Sequence, residues 1–587
     1  MKKTGVILVA IAVLLAILYF LIQGGKEDKA AVVTAAELLP EEVIVAIEQK
    51  DLGQLLDDFK VSRLGRTLVT LEYVKIASEL GLPEEDVNKV RETREQIDMV
   101  LTSPLFQEFL GKEFTVALLP TSDVAMDSPE KTGKSSFLFI ARPRHDADIL
   151  ALTSDLFAKK LEQTTITHGK HSLKQYQLDE KSTLTIVTLH GLVIAAFDEK
   201  LVQGCLDRYD SKDNRKKTLA TNSRYIRLRQ DFIDAKLMVY ASVPALQDQI
   251  GKLTDTLDPL QKEEVQKAFG QWQGLEELGF GVWQENGLIR DKGVVLFNKD
   301  KLDPLVKKAF MVQPVENKTL AMAPADILAY YWSNSLDLRM FWEMLTQEMK
   351  ENAEQLQIMK KDVKNATGYK LSEIFQMVGS EFVILLKDIA TDGFIPLPKA
   401  AIILKIEQEQ EFAKMAQTLL TNVELPSHTD KYKGVALHAL GVSLHPALQP
   451  VYALHQGYLV LSSTLDMAKQ VVDSQEGGGL LSENRFQQVN QGLDQKMNQN
   501  NNSVSYFNFS LLLEKLKELA NWGGTMLSLQ DPDSAQKAKV ALEQLILPLL
   551  DGLAMFDVIG SRSFIQDDAM ILESVTVLAA KPAENPK

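Results

Sequence analysis

One cysteine and eight histidines are the side chains here best suited to nucleophilic or metal chemistry. A reactive thiol needs an exposed, electropositive setting that favours the thiolate. Cys205 falls instead inside an apolar helical pattern running from Asp198 to Tyr209. A second stretch repeats that pattern and places Val471 at the matching position. A position filled by valine once and cysteine once is a core position, where the thiol packs as a small hydrophobe. His438, His445 and His455 crowd one stretch, but their spacings of seven and ten match neither a helical i, i+4 pair nor a closed zinc pattern. They are expected in loops or facing solvent. His168 and His171 flank Gly169-Lys170, which reads as a turn. His145-Asp146-Ala147-Asp148 immediately precedes a helix expected near Ile149. Carboxylates there accept from free backbone N–H groups and oppose the helix dipole.

Paired carboxylates are the remaining candidates. Glu113 and Glu381 each stand in a Gly-x-Glu-Phe turn into a strand, Gly111 to Phe114 and Gly379 to Phe382. General acid/base work would require them within several ångströms of each other. Their recurrence in one local setting predicts a structural role for both. The chain has no Gly-x-Ser-x-Gly elbow, phosphate-binding lysine loop or His-Glu-x-x-His. Gly279-Phe280-Gly281 lacks a third glycine and sits within a strand pattern, unlike a dinucleotide fingerprint. Gly477-Gly478-Gly479 has no basic neighbour to hold phosphate and reads as a flexible joint. No catalytic residue, cofactor site or metal site is expected, and the reading is of a protein that is not an enzyme.

The elements carrying these residues come in two sets. Leu39-Pro40 to Val45 resembles Ala323-Pro324 to Ala329, each read as a proline-started strand. Strands at Phe137 to Ala141 and Ala401 to Ile406 each lead into a helix with one apolar face. Those faces are Ile149, Leu152, Leu156 and Phe157, then Phe412, Met415, Leu419 and Leu420. Strands at 190–195 and 456–461 each precede an acidic helix start, at Asp198 or Asp466. Ser223-Arg224-Tyr225 matches Asn484-Arg485-Phe486, ahead of strands Met238 to Val243 and Val504 to Phe509. Each set closes with a hairpin, turning at Asn286-Gly287 or Asp567-Asp568. Before it lies a helix read as amphipathic, through Leu260, Val265, Phe269 and Trp272 or through Val540, Leu545, Leu547 and Leu549. Pro548 is expected to bend or end the second of these. The runs Asp392 to Pro398 and Asn498 to Asn502 read as loops. The predicted architecture is α+β: an N-terminal transmembrane helix and two tandem copies of an antiparallel sheet with helices. Its parts are an anchor at 1–25, a linker at 26–37, a first repeat at 38–298 and a second at 320–580.

The anchor is the apolar run from Gly5 to Ile22, uncharged, preceded by Lys2 and Lys3 and followed by Lys26. About 18 residues at ~1.5 Å each nearly span a ~30 Å bilayer core. A cleaved signal peptide would have a shorter core and a small-residue site close behind it. The nearest such stretches, around Ala30-Ala31 and Thr34-Ala35-Ala36, lie well past the run. The expectation is a single-pass signal-anchor with the N-terminus inside and the bulk periplasmic or otherwise extracytoplasmic. One cysteine rules out an internal disulfide. A net charge of −15 argues against nucleic acid as a partner.

Leu39-Pro40, Leu219 to Tyr225 before Val239-Tyr240, and a second set at Leu480 to Phe486, together with the anchor, resemble a bacterial exported family catalogued as domain of unknown function 3352. The resemblance implies a location at the bacterial inner membrane and an architecture, and no activity or site. The function expected is that of a non-enzymatic, membrane-anchored envelope protein that binds a partner protein or supports an envelope complex. One alternative is a carrier of a lipid or other apolar ligand in a cleft between the repeats. Another is a hydrolase without a recognisable motif. An apolar pocket favours the carrier, a buried acid–base cluster the enzyme, and an exposed apolar patch the partner binder.

Overall fold

The computed structural model describes residues 33–102, 112–120, 136–143, 162–179, 182–211, 213, 217–254, 258–270, 272–285, 287–348, 353–391, 395–441, 449–474, 479–528 and 532–579. The apolar run at 5–22, the segment His145 to Phe157, His445 and Asn286 lie outside them. Among the described residues no helix is long and apolar enough to cross a membrane. The chain divides into two compact units, residues 1–306 with 567–571 and residues 307–566 with 572–587.

The first unit holds strands β1 (Val45–Lys50), β2 (Glu113–Leu118), β3 (Phe137–Arg142), β4 (Gln163–His168), β5 (His171–Asp179), β6 (Ser182–Leu189), β7 (Leu192–Ala196), β8 (Leu237–Ser242), β9 (Leu275–Glu285) and β10 (Leu288–Phe297). They pair antiparallel in the order β4-β5-β6-β7-β3-β2-β1-β8-β9-β10. The second begins with β11 (Val315–Glu316), β12 (Ala329–Ser333), β13 (Val378–Ala390), β14 (Leu397–Ile406), β15 (Ser427–Tyr432) and β16 (Val435–Leu440). It continues with β17 (Val451–His455), β18 (Tyr458–Ser462), β19 (Asn500–Asn501), β20 (Ser503–Asn508), β21 (Phe556–Gln566) and β22 (Ala569–Leu578), the first three residues of β22 being counted with the first unit. Its antiparallel order is β15-β16-β17-β18-β14-β13-β12-β20-β21, and β21 turns at Asp567-Asp568 into β22. From β4 through to β9 and from β15 through to β21 the two orders are the same, strand for strand. Only the short β11–β19 ladder of the second unit has no counterpart among the described strands.

Register carries the likeness to single residues. Ala46 lies opposite Ala117 and Tyr240, and Tyr330 opposite Leu385 and Tyr506. Counting from those pairs aligns Glu113 with Glu381, and Gly279 with Gly560. The helices Ser223–Asp231 and Asn484–Gly492 pack on these glycines. A Cβ on Gly279 would stand 2.4 Å from the Phe232 ring, and one on Gly560 2.2 Å from Val489. Side chain at either position would hold the helix off the sheet. The helix Glu199–Asp210 is capped by Asp198, whose side chain accepts from the Lys200 N–H, and Leu465–Asp473 by Thr464. Leu38, Leu228 and Phe232 are core residues of the first unit, as Trp332, Phe486 and Tyr506 are of the second.

Three local expectations are corrected. The Leu-Pro segments are not strands: Pro40 and Pro324 make single bridges to Thr218 and Gly479, and the strands start later, at Val45 and Ala329. Proline has no N–H to give a ladder. Pro548 does not end its helical run, but stands in the first turn of a segment where the helix type changes. A π-helical turn, Ala541–Ile546, precedes Leu547–Leu553 and absorbs the missing N–H and the ring. Asn498 to Asn502 is not a plain loop, since Asn501 and Asn502 are buried. The Asn501 amide donates to the carbonyls of Lys496, Met497 and Gln499, and that of Asn502 to Val312.

Candidate functional site

Cys205 is fully buried, as is Val471, and burial pushes its thiol up despite the nearby Arg208 guanidinium. His168 and His171 do flank a turn. Their Nε2 atoms meet Asp207 at 2.7 Å and Asp210 at 3.0 Å on the helix Glu199–Asp210, pairings that local sequence gives no means of finding. Lys170 joins Asp210 at 2.9 Å and, together with His171, holds that carboxyl below its ordinary value. His438 and His455 lie on different strands and face different partners, opposite Tyr452 and Tyr458. Among the described residues no group of three His, Cys, Asp or Glu could hold a metal ion.

Glu113 and Glu381 share a register position but not a chemistry. Glu113 sits 3.5 Å from the Arg142 guanidinium, across the β2–β3 ladder. Glu381 accepts from Trp332 Nε1 and the Tyr458 hydroxyl, each at 3.3 Å. Burial first, then Glu381, raises the Tyr458 phenol. A further charged pair recurs under the helices. Arg224 reaches Glu276 at 2.9 Å and the buried Glu277 at 3.2 Å, and Arg485 reaches Asp557 at 3.2 Å. By register, Glu276 and Asp557 are equivalent. Burial raises Glu277, against the pull of Arg224. These arginines stand in the Arg-[Tyr/Phe] motif read from sequence, and they tie its helix to the sheet. A hollow of about 480 Å³ in the first unit is lined by Thr164, Gln175, Gln177, Thr183, Thr185 and Glu199. Its polar groups engage each other: Gln175 Nε2 donates to Glu199 at 2.7 Å and Thr183 Oγ1 to Gln177 at 2.8 Å.

The outer face of the second unit's sheet is different. Side chains alternate across a strand, and residues opposite one another share a face. Leu461, Ile402, Ile384 and Tyr331 lie opposite one another in succession on β18, β14, β13 and β12. They form one row across four neighbouring strands, ~14 Å wide. Their exposures are 37%, 44%, 47% and 39%, while their chain neighbours Val460, Ile403, Val383 and Trp332 are buried on the other face. Beyond Leu461 the row continues to Tyr452 and His438, whose rings stack at 4.5 Å, and Thr429 Oγ1 lies 2.9 Å from His438 Nδ1. Beside it Phe507 on β20 is 41% exposed. Ile47 holds the equivalent place to Tyr331 in the first unit and is also exposed.

The sequence held a signal for this row. Val383 to Leu386 and Ala401 to Leu404 are continuous apolar runs. An antiparallel strand with one wet face alternates; an unbroken run implies that both faces are covered. Here one face is covered by the protein itself and the other shows its isoleucines to solvent.

Residues 106–395 match the model of a family described as "Protein of unknown function (DUF3352)". The match supports the resemblance over that span, which holds most of the first unit and about a third of the second and includes Leu219 to Tyr225 and Val239-Tyr240. No curated protein matches the chain. Two crystal forms of TP0453, III and IV, overlap it at TM-scores of 0.23 and 0.21, with 10% and 11% identity. They cover 48% and 45% of this chain and 85% and 81% of theirs. Overlap that low transfers neither fold nor function.

Proposed function

We propose that the chain is a non-enzymatic bacterial envelope protein, held at the inner membrane by residues 5–22, that binds a partner protein on the outer face of its second sheet. The row Leu461, Ile402, Ile384 and Tyr331 carries this reading: four large apolar side chains, contiguous, rigidly spaced and open to solvent. Covering what is exposed contributes roughly 1 kcal/mol per side chain. That is too little for tight association between freely diffusing proteins. A partner confined to the same membrane needs less, because tethering raises its effective concentration. The anchor and the weak patch therefore support one another.

The test is site-directed photocrosslinking in intact cells. A crosslinker at Ile402, Ile384 or Leu461 is expected to give one and the same protein adduct. Glu at a second row position, as in Ile384→Glu, should abolish the adduct from Ile402 and leave the unfolding midpoint unchanged. Adducts that differ among the three positions, or that survive Ile384→Glu, would sink the proposal.

A further inference from the structure

The second unit carries a concentration of positive charge that the chain's −15 does not foreshadow. The helix Ala353–Thr367 presents Gln357, Lys360, Lys361 and Lys364 at steps of three, one and three, which is one helical face. Opposite stand Arg339 and Trp342 of the helix Leu338–Glu348, and Lys370, Leu371 and Phe375 at the start of and within Leu371–Met377. Together they line a groove of about 700 Å³.

Five cations line it against one carboxylate, Glu343, and that carboxylate is engaged by Lys308 at 3.1 Å. Nearby Glu373 accepts from the Lys370 backbone N–H at 2.7 Å. Glu354 and Asp362 share the lysine helix, yet among the described residues no ion pair joins Arg339, Lys360, Lys361, Lys364 or Lys370 to any carboxylate. Elsewhere in this unit cations are commonly paired, as in Lys399–Asp388, Lys414–Glu411, Lys433–Asp473 and Lys515–Glu518. Lysines stacked at i, i+3 and i, i+4 repel one another. Such a face is relieved by an anion from outside the chain. The groove is also not simply wet: the Trp342 and Phe375 rings stand 6.2 Å apart, and Lys360 Nζ lies 5.7 Å from the Trp342 centroid. Cations beside aromatic and aliphatic surface fit a ligand with both characters.

We propose that this groove binds a phosphate-bearing amphiphile. The headgroup lies among Lys360, Lys361, Lys364 and Arg339, and the apolar body against Trp342, Phe375 and Leu371. The assignment goes beyond the partner surface and shares no residue with its row.

The full chain in phosphatidylcholine nanodiscs, with empty discs as the blank, is titrated calorimetrically with dihexanoyl phosphatidic acid. Saturable binding of one molecule per chain is expected, weakening as salt is raised. Lys360→Gln with Lys364→Gln should weaken it at least tenfold without lowering the unfolding midpoint, since like-charge repulsion is relieved. Lys414→Gln, outside the groove, and Ile384→Glu, in the row, should leave it unchanged, which separates failure here from failure of the partner surface. Dihexanoyl phosphatidylcholine and glycerol 3-phosphate should each bind at least tenfold more weakly. Absence of binding, equal binding by the double variant, or equal binding of phosphatidylcholine would overturn the site. Equal binding of glycerol 3-phosphate would overturn the assignment of an apolar body.

Discussion

Cys205 and Val471 do the same work in the two units, filling a sealed space beneath a helix. In the native protein Cys205 should not react with a bulky thiol reagent, and labelling should appear only with unfolding. Cys205→Ala should lower stability by about 1 kcal/mol, and Cys205→Val by less, as chemical denaturation will show. That site was legible because the chain supplies its own comparison. His438 was not: its partners Tyr452 and Thr429 reach it across neighbouring strands, which local spacing cannot reveal. Burial holds its imidazole below the ordinary value of 6.5. The unfolded chain therefore takes up the proton first. The stability involved is fully present above that value and is lost as pH falls through it. The unfolding midpoint should drop between roughly pH 7 and pH 5, and His438→Phe should flatten that part of the profile.

At the level of elements, the helices that cross the sheets rest on missing side chains. Gly279→Ala and Gly560→Ala should each cost about 1–3 kcal/mol, read from denaturant midpoints. The cost at Gly560 is expected to be the larger, because the added carbon would meet both Val489 at 2.2 Å and Met497 at 2.4 Å. Sequence placed Gly279 correctly in a strand, though the reason for a glycine there is the helix above it. The closing helices were harder to read. Leu260, apolar by the periodicity of its helix, is 76% exposed. The stretch Leu545 to Leu550, apolar on several sides, is half-buried at most positions, with Ile546 40% exposed. A periodic pattern states which face is apolar, and what covers that face is a tertiary matter.

Across the whole molecule, the shared strand order follows from pairings that no short motif states, yet the motifs lie along it in register. Arg224-Tyr225 and Arg485-Phe486 head equivalent helices, and Tyr225–Tyr240 and Phe486–Tyr506 make equivalent edge-on ring contacts at 5.3 and 5.6 Å. The apolar runs under the outer row are visible in the sequence but ambiguous, because apolar residues on both faces of a strand look the same from the chain as a buried core. The proposed orientation has a direct check. Alkaline phosphatase joined after Lys587 should be active and a reporter restricted to the cytoplasm silent; the reverse would place the units on the other side of the membrane.

The position of β1 has a consequence in time. It lies between β2 and β8, as β12 lies between β13 and β20. A chain made from its N-terminus can give β1 its first neighbour early, but the second arrives only with Leu237–Ser242. At ribosomal rates on the order of 5–20 residues per second, the wait is roughly 10–40 s. For that interval the centre of the future sheet is an open edge, a template for any extended segment nearby. Productive folding of each unit then depends on keeping β1 or β12 from foreign pairing until its own late strand closes the gap.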